Sequence, residues 1–149
     1  MGVNMNHKKM EDALYSFAQG YNCSQAVVST YAEDLGLDGE TAKKLSSCFG
    51  GGMRMGATCG ALSGALMVLG LSKGFSEFSP EQKASIELHC KSYISRWKEV
   101  IGNTDCREIL GIDVTDPLLR QKAKDEGVFD MHCPNCIETA VRLLEEVIG

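Results

Sequence analysis

No apolar run in this 149-residue chain is long enough to cross a bilayer, which takes about 20 residues. The longest, residues 61–71, is interrupted by Ser63, Gly64 and Gly70, so no membrane insertion is expected. Basic clusters are missing too. Fifteen Lys and Arg stand against 20 Asp and Glu for a net charge of −5, and no dense positive stretch could track a phosphate backbone, which disfavours nucleic acid as a partner. Residues 1–10 hold no apolar core for a signal peptide, and Asn6 stands where a myristoylated Gly2 would require Ser or Thr. The expected location is the cytoplasm.

Strand patterns, fixed-period repeats and low-complexity linkers are absent as well, whereas helical periodicity runs nearly end to end. The length falls within the ~100–200 residues usual for one domain, and a chain of this size needs neither disulfides nor metal merely to fold. The expected architecture is therefore all-α, a single-domain bundle of about eight short helices spanning residues 1–149.

Punctuation by Gly, Pro and capping residues sets the helices apart. Met10, Ala13, Leu14, Phe17 and Ala18 share one face of the first, which Gly20 stops. The second is expected over 23–35, the third over 39–49 with Ala42, Leu45 and Phe49 inward, and the fourth over 59–71. Ser79-Pro80-Glu81-Gln82 opens the fifth, a long helix reaching about Ile101. A short sixth runs from Cys106 to Gly111, and a seventh from Asp116-Pro117 to Gly127. The eighth is expected to start at Cys133-Pro134 and reach the chain end, with Ile137, Val141, Leu144 and Ile148 on one stripe.

Seven cysteines, about 5% of the chain, are too few for a disulfide-built scaffold, where ~8–10% is usual. In a reducing compartment, grouped cysteines more often bind metal or do redox chemistry. Cys48 and Cys90 fall on apolar stripes and read as core residues. The other five collect at helix starts. Asn22 with Gln25, and Asp105 with Glu108, form capping-box patterns that put Cys23 and Cys106 at first helical positions. Thr58 would cap the helix that Cys59 begins, while Pro134 at a first position would make Cys133 the cap and Cys136 the third residue. Unpaired N–H groups and the helix dipole favour thiolates at such places, and the thiolate both attacks disulfides and ligates metals.

Cys133-Pro134-Asn135-Cys136 lacks the βαβ setting of a thioredoxin-like motif and the following His of c-type haem attachment; His132 precedes the first cysteine instead. His132 and Cys136 are accessory candidates. Arg54 is a third, because a guanidinium near several thiolates would offset their repulsion. It lies in Phe49-Gly50-Gly51-Gly52-Met53-Arg54-Met55-Gly56, a glycine-rich stretch without the Lys-Ser/Thr of a P-loop, which reads as a tight turn. Gly60 and Gly64, with Ala57, Ala61 and Ala65, give the fourth helix a small-residue face that another helix or a cofactor must approach closely. His89 and Glu145-Glu146 read as surface features.

Gly20-Tyr21-Asn22-Cys23-Ser24-Gln25-Ala26, Cys59-Gly60-Ala61-Leu62-Ser63-Gly64, Cys106-Arg107-Glu108 with Leu110-Gly111, and Cys133 together resemble the redox-active proteins labelled C_GCAxxG_C_C. The match spans nearly the whole chain, although Cys and Gly stand here in the order C-G-A-x-x-G. The resemblance implies a small helical protein with four defining cysteines, Cys23, Cys59, Cys106 and Cys133. Similarity to a domain of split-Soret cytochromes points towards iron or electron transfer. Cys136 lies outside the four-cysteine pattern.

Three functions follow, the first as the leading expectation and the other two as alternatives. The first is a metal centre, iron or an iron–sulfur cluster held by Cys23, Cys59, Cys106 and Cys133, in electron transfer or redox sensing with an unknown redox partner. Zinc would satisfy the same ligand count without redox activity. The second is thiol–disulfide chemistry in which Cys133 and Cys136 exchange electrons with Cys23, Cys59 or Cys106. The third is a helical interaction module with structural cysteines. No catalytic base or substrate motif is legible. A homodimer is expected, built on the Gly60/Gly64 face or the final helix, with the cysteine site inside each subunit.

Overall fold

The computed structural model describes residues 2–148, with side chains from His7 onward. Met1 and Gly149, the latter the expected last residue of the eighth helix, lie outside the described residues. The chain is all-α. Its helices are α1 (Gly2–Ala18), α2 (Cys23–Ala32), α3 (Gly39–Leu45), α4 (Gly60–Lys73), α5 (Pro80–Val100), α6 (Cys106–Leu110), α7 (Pro117–Asp125) and α8 (Val128–Ile148). A 3-10 turn, Glu33–Leu35, extends α2 to the expected boundary.

Local signals set most helix starts. Asn22 accepts from the Gln25 N–H at 2.8 Å while the Gln25 side chain accepts from the Asn22 N–H at 3.0 Å, the full capping box. Ser79 caps α5 through the Gln82 N–H, and Asp116 caps α7 through the N–H groups of Leu118 and Leu119.

Helices α2, α4 and α8 form the centre. Helix α1 covers α2 and α8, α5 covers α4 and α8, α3 lies on α2, and α6 and α7 lie on α8. Val27, Leu62, Val68, Leu69, Trp97, Ile137, Val141 and Leu144 are buried in one connected core. Its aromatic polar tips are satisfied: Tyr93 donates to the Ala140 carbonyl at 2.7 Å, and Trp97 to that of Asn103 at 2.9 Å. Tyr31 donates to Glu145 at 2.7 Å, so that carboxylate ties α2 to α8 and is more than a surface feature.

The small-residue face of α4 meets the start of α2. A Cβ on Gly64 would lie 3.0 Å from the Ser24 carbonyl oxygen, and one on Gly60 would lie 3.2 Å from the Ser24 nitrogen. Close packing on the start of α2, and for Gly60 on the Phe49 carbonyl as well, accounts for both glycines. The stripe on α8 is likewise buried within the chain at Ile137, Val141 and Leu144. Both faces that suggested self-association are therefore used internally.

Four expectations need correction. Helix α3 stops at Leu45, where Ser46 turns its hydroxyl back onto the Ala42 carbonyl at 2.7 Å. The apolar stripe ends with it, leaving Leu45 and Cys48 exposed; Cys90 is only half-buried. Helix α8 starts five residues before Cys133, directly after Gly127, and Pro134 lies inside it. Asp105 precedes α6 without a side-chain cap, because its backbone instead pairs with Thr58 in a single antiparallel bridge.

Candidate redox site

Five cysteines from four segments line one cavity of about 960 Å³: Cys23, Cys59, Cys106, Cys133 and Cys136. All five are buried and none forms a disulfide. Each is positioned by backbone geometry. Cys23 is the first residue of α2, held by the capping box. Cys59 is itself the cap residue of α4, without a side-chain cap bond, and the nearby Ala61 and Leu62 N–H groups favour its charged form. Cys106 opens α6. The Thr58–Asp105 bridge aligns these last two starts, with the Cys59 N–H donating to Thr104 at 2.8 Å and the Cys106 N–H to Ala57 at 2.7 Å.

Cys133 and Cys136 stand three residues apart and so share a face of α8. Because α8 starts at Val128, neither sits at a helix terminus, and the dipole argument does not apply to them. Instead they meet the cysteines of α2 and α4. Cys23 lies close enough to Cys133, and Cys136 to Cys59, for each pair to shift the acidity of its members. Cys106 remains single.

This pairing splits the thiol acidities. Donation to Cys133, then burial, pushes Cys23 well up. Donation to Cys59, then burial, does the same to Cys136. Cys59 moves the other way: the Cys136 donor lowers it, burial opposes, and the Ala61 and Leu62 N–H groups help to lower it. Cys106 is pushed up to about 12 by burial and then by its cysteine neighbours, with Arg120 pulling against them. Cys59 is thus the cysteine of the pair best prepared to carry negative charge.

One wall of the cavity is strained. Residues 51–54 are consecutively left-handed, with φ of 62° at Gly51, 63° at Gly52, 57° at Met53 and 62° at Arg54. For Met53 and Arg54 that conformation costs roughly 1–2 kcal/mol each. Gly52 admits no side chain, since a Cβ would lie 2.4 Å from the Ala57 carbonyl oxygen, the acceptor for Cys106. The turn is held from outside by Arg107, which donates to the Met55 carbonyl at 3.2 Å.

The four cysteines singled out as ligands and the accessory residues Cys136 and Arg54 all line this cavity. His132 does not. It borders a second, smaller space together with Asn103, Glu108 and Asn135, and Cys136 alone of the cysteines lines both. Arg120 and Lys124 also line the main cavity. Their i, i+4 spacing on α7 places them on one helix face, a signal present in the sequence but meaningless until the cavity is known. The donor chemistry suits iron–sulfur clusters or zinc, which favour soft thiolates. The donor geometry does not suit a single ion: among the described residues, no three His, Cys, Asp or Glu side chains converge closely enough to hold one.

No curated protein and no solved structure matches the chain. The family described as "Putative redox-active protein (C_GCAxxG_C_C)" matches residues 21–147, which contain all five cavity cysteines. The chain belongs to the C_GCAxxG_C_C family.

Proposed function

We propose that this chain is a dithiol redox protein in which Cys59 and Cys136 exchange two electrons with an external disulfide. The pairing, on one cavity, of a cap cysteine whose acidity is raised with a neighbouring cysteine whose acidity is lowered carries this reading. The Cys59 thiolate attacks one sulfur of the disulfide, forming a mixed disulfide and releasing the first thiolate. Cys59 then no longer bears charge, which removes the largest influence holding the proton on Cys136. That proton passes to the departing thiolate. Cys136 attacks the Cys59 sulfur and releases the second thiolate, which takes its proton from water, so one disulfide is reduced and the Cys59–Cys136 pair is oxidised. Cys23 and Cys133 form a second pair that the same chemistry would join.

A second reading is a cysteine-ligated iron–sulfur cluster, favoured by the meeting of five soft donors on one cavity. Cys23, Cys59, Cys106 and Cys133 would hold it, Cys136 would donate to a ligand, and Arg54 would offset negative charge. When bound, such a group supplies one-electron transfer. Either centre is complete within one chain, so a homodimer would carry one per subunit. A cytoplasmic setting, where thiols are kept reduced, would return the pair to its dithiol form.

Anaerobic purification separates these readings. Stoichiometric oxidation of the reduced chain is expected to give a colourless protein with a Cys59–Cys136 cross-link, reversed by dithiothreitol. Stoichiometric iron and sulfide with visible absorption, lost on replacing Cys23, Cys59, Cys106 and Cys133 with Ser, would overturn the dithiol reading in favour of the cluster. Thiols that stay free, in a chain without metal, would leave the cysteines a structural role in an interaction module.

A further inference from the structure

The cavity that holds the cysteines has the opposite charge to the molecule around it. The chain carries a net −5, yet the charged residues lining the cavity are Arg54, Arg120 and Lys124 against Asp130 alone. Among the described residues, none of the three cations takes part in an ion pair; the ion pairs involve Lys8, Lys9, Arg96 and Arg107. The cations come from two separate elements, the strained turn and α7, and all three are exposed at the rim while the cysteines lie buried below.

We propose that this rim recognises a small anionic disulfide, an organic disulfide bearing carboxylates, and presents it to Cys59. This deepens the dithiol reading and rests on it. The space, about 960 Å³, is at the upper end of the usual ~300–1,000 Å³ for small-molecule sites. Leu14, Phe17, Ile109, Val114 and Phe129 supply the apolar wall that an organic body requires. The cations supply orientation, with Arg54 and Arg120 suited to forked contact with carboxylates. The left-handed turn gives Arg54 a fixed origin at the rim. An anion held there would have its disulfide directed towards the buried thiols, and Cys59 would react as described, reducing the bound disulfide to two thiols. The structure assigns the rim to substrate recognition, beyond the balancing of thiolate charge.

Two disulfide probes test this on the intact, metal-free, reduced chain at pH 7: dianionic 5,5′-dithiobis(2-nitrobenzoate) and neutral 2,2′-dithiodipyridine. Exposed Cys48 is the reference within the same molecule. The ratio of dianion to neutral rates at Cys59 should exceed that at Cys48 by about tenfold, the lower end of what charge focusing delivers. The Cys59 rate should also saturate with dianion concentration, the mark of a bound complex. Arg120→Gln, Lys124→Gln and Arg54→Asn should each lower the ratio and straighten the saturation curve; asparagine is chosen because it tolerates the left-handed backbone. A ratio equal to that at Cys48, or a rate linear in dianion concentration, would overturn the inference and leave the cations as charge balance. In that event reaction with the neutral probe would still uphold the dithiol reading. Failure of both probes at Cys59 would overturn the reading and the inference together.

Discussion

Cys136, about two and a half turns into α8, neighbours Cys59, the residue that caps α4, closely enough to shift its acidity. One contact therefore joins the end of the family's C-G-A-x-x-G helix to a cysteine outside the four-cysteine pattern. Cys59 is held below the ordinary thiol range by this donor and by two backbone N–H groups. In Cys136→Ala the donor is lost, so the pH profile for alkylation of Cys59 should move to higher pH. Cys136→Ser retains a hydroxyl donor and should recover part of the shift. Iodoacetamide labelling followed by peptide mass spectrometry reads both, and an unchanged profile in Cys136→Ala would break the link.

Gly64 and Gly70 lie on the same helix and should respond oppositely to alanine. Helix propensity favours the substitution by about 1 kcal/mol at either site. A Cβ at Gly70 meets nothing within 4 Å, so Gly70→Ala should stabilise the fold by up to that amount. At Gly64 it would press on Ser24 at 3.0–3.1 Å, so Gly64→Ala should destabilise by about 1–3 kcal/mol through overpacking. Urea unfolding measures both.

Much of the fold was legible because its signals are local. The Asn22/Gln25 box, Ser79-Pro80 and Asp116-Pro117 each satisfy free N–H groups with residues two or three positions away, so they start helices where the sequence says. Pro134 misled for the same reason. Its missing N–H suits a first helical position, but the core contacts of α8 carry the helix through it from Val128. The five cysteines were legible as a group, whereas the pairing of Cys59 with Cys136 and of Cys23 with Cys133 depends on how α8 crosses α2 and α4. Arg120 and Lys124 were invisible as site residues because only the docking of α7 brings them to the cavity.

Gly52 supports Cys106 at one remove. Gly52→Ala would require a left-handed alanine whose Cβ collides with the Ala57 carbonyl, the acceptor of the Cys106 N–H at 2.7 Å. The expected cost is at least 1–3 kcal/mol, with faster alkylation of Cys106 as its backing loosens. Thermal unfolding and site-resolved labelling test the two effects separately.

Alkaline pH should loosen the fold. Burial pushes Cys106 up to about 12 and raises Tyr93 and Tyr31 further. A group whose folded pKa is raised contributes stability that is complete below its unfolded pKa and is lost as pH climbs through the folded one. Stability should therefore decline from about pH 9 towards pH 12, the window set by Cys106. Tyr93→Phe removes the bond to Ala140, costs about 1 kcal/mol at neutral pH, and should flatten part of the decline. Chemical unfolding at successive pH values, under reducing conditions, follows it.

Equilibration of the intact chain in thiol–disulfide buffers of graded potential, with the Cys59–Cys136 peptide quantified by mass spectrometry, is the most direct test of dithiol function. The account predicts one two-electron transition, about 30 mV per tenfold change in ratio, abolished in Cys136→Ser with Cys48 unaffected. A one-electron transition accompanied by a visible chromophore, or Cys59 and Cys136 remaining thiols across the range in which Cys48 oxidises, would contradict it.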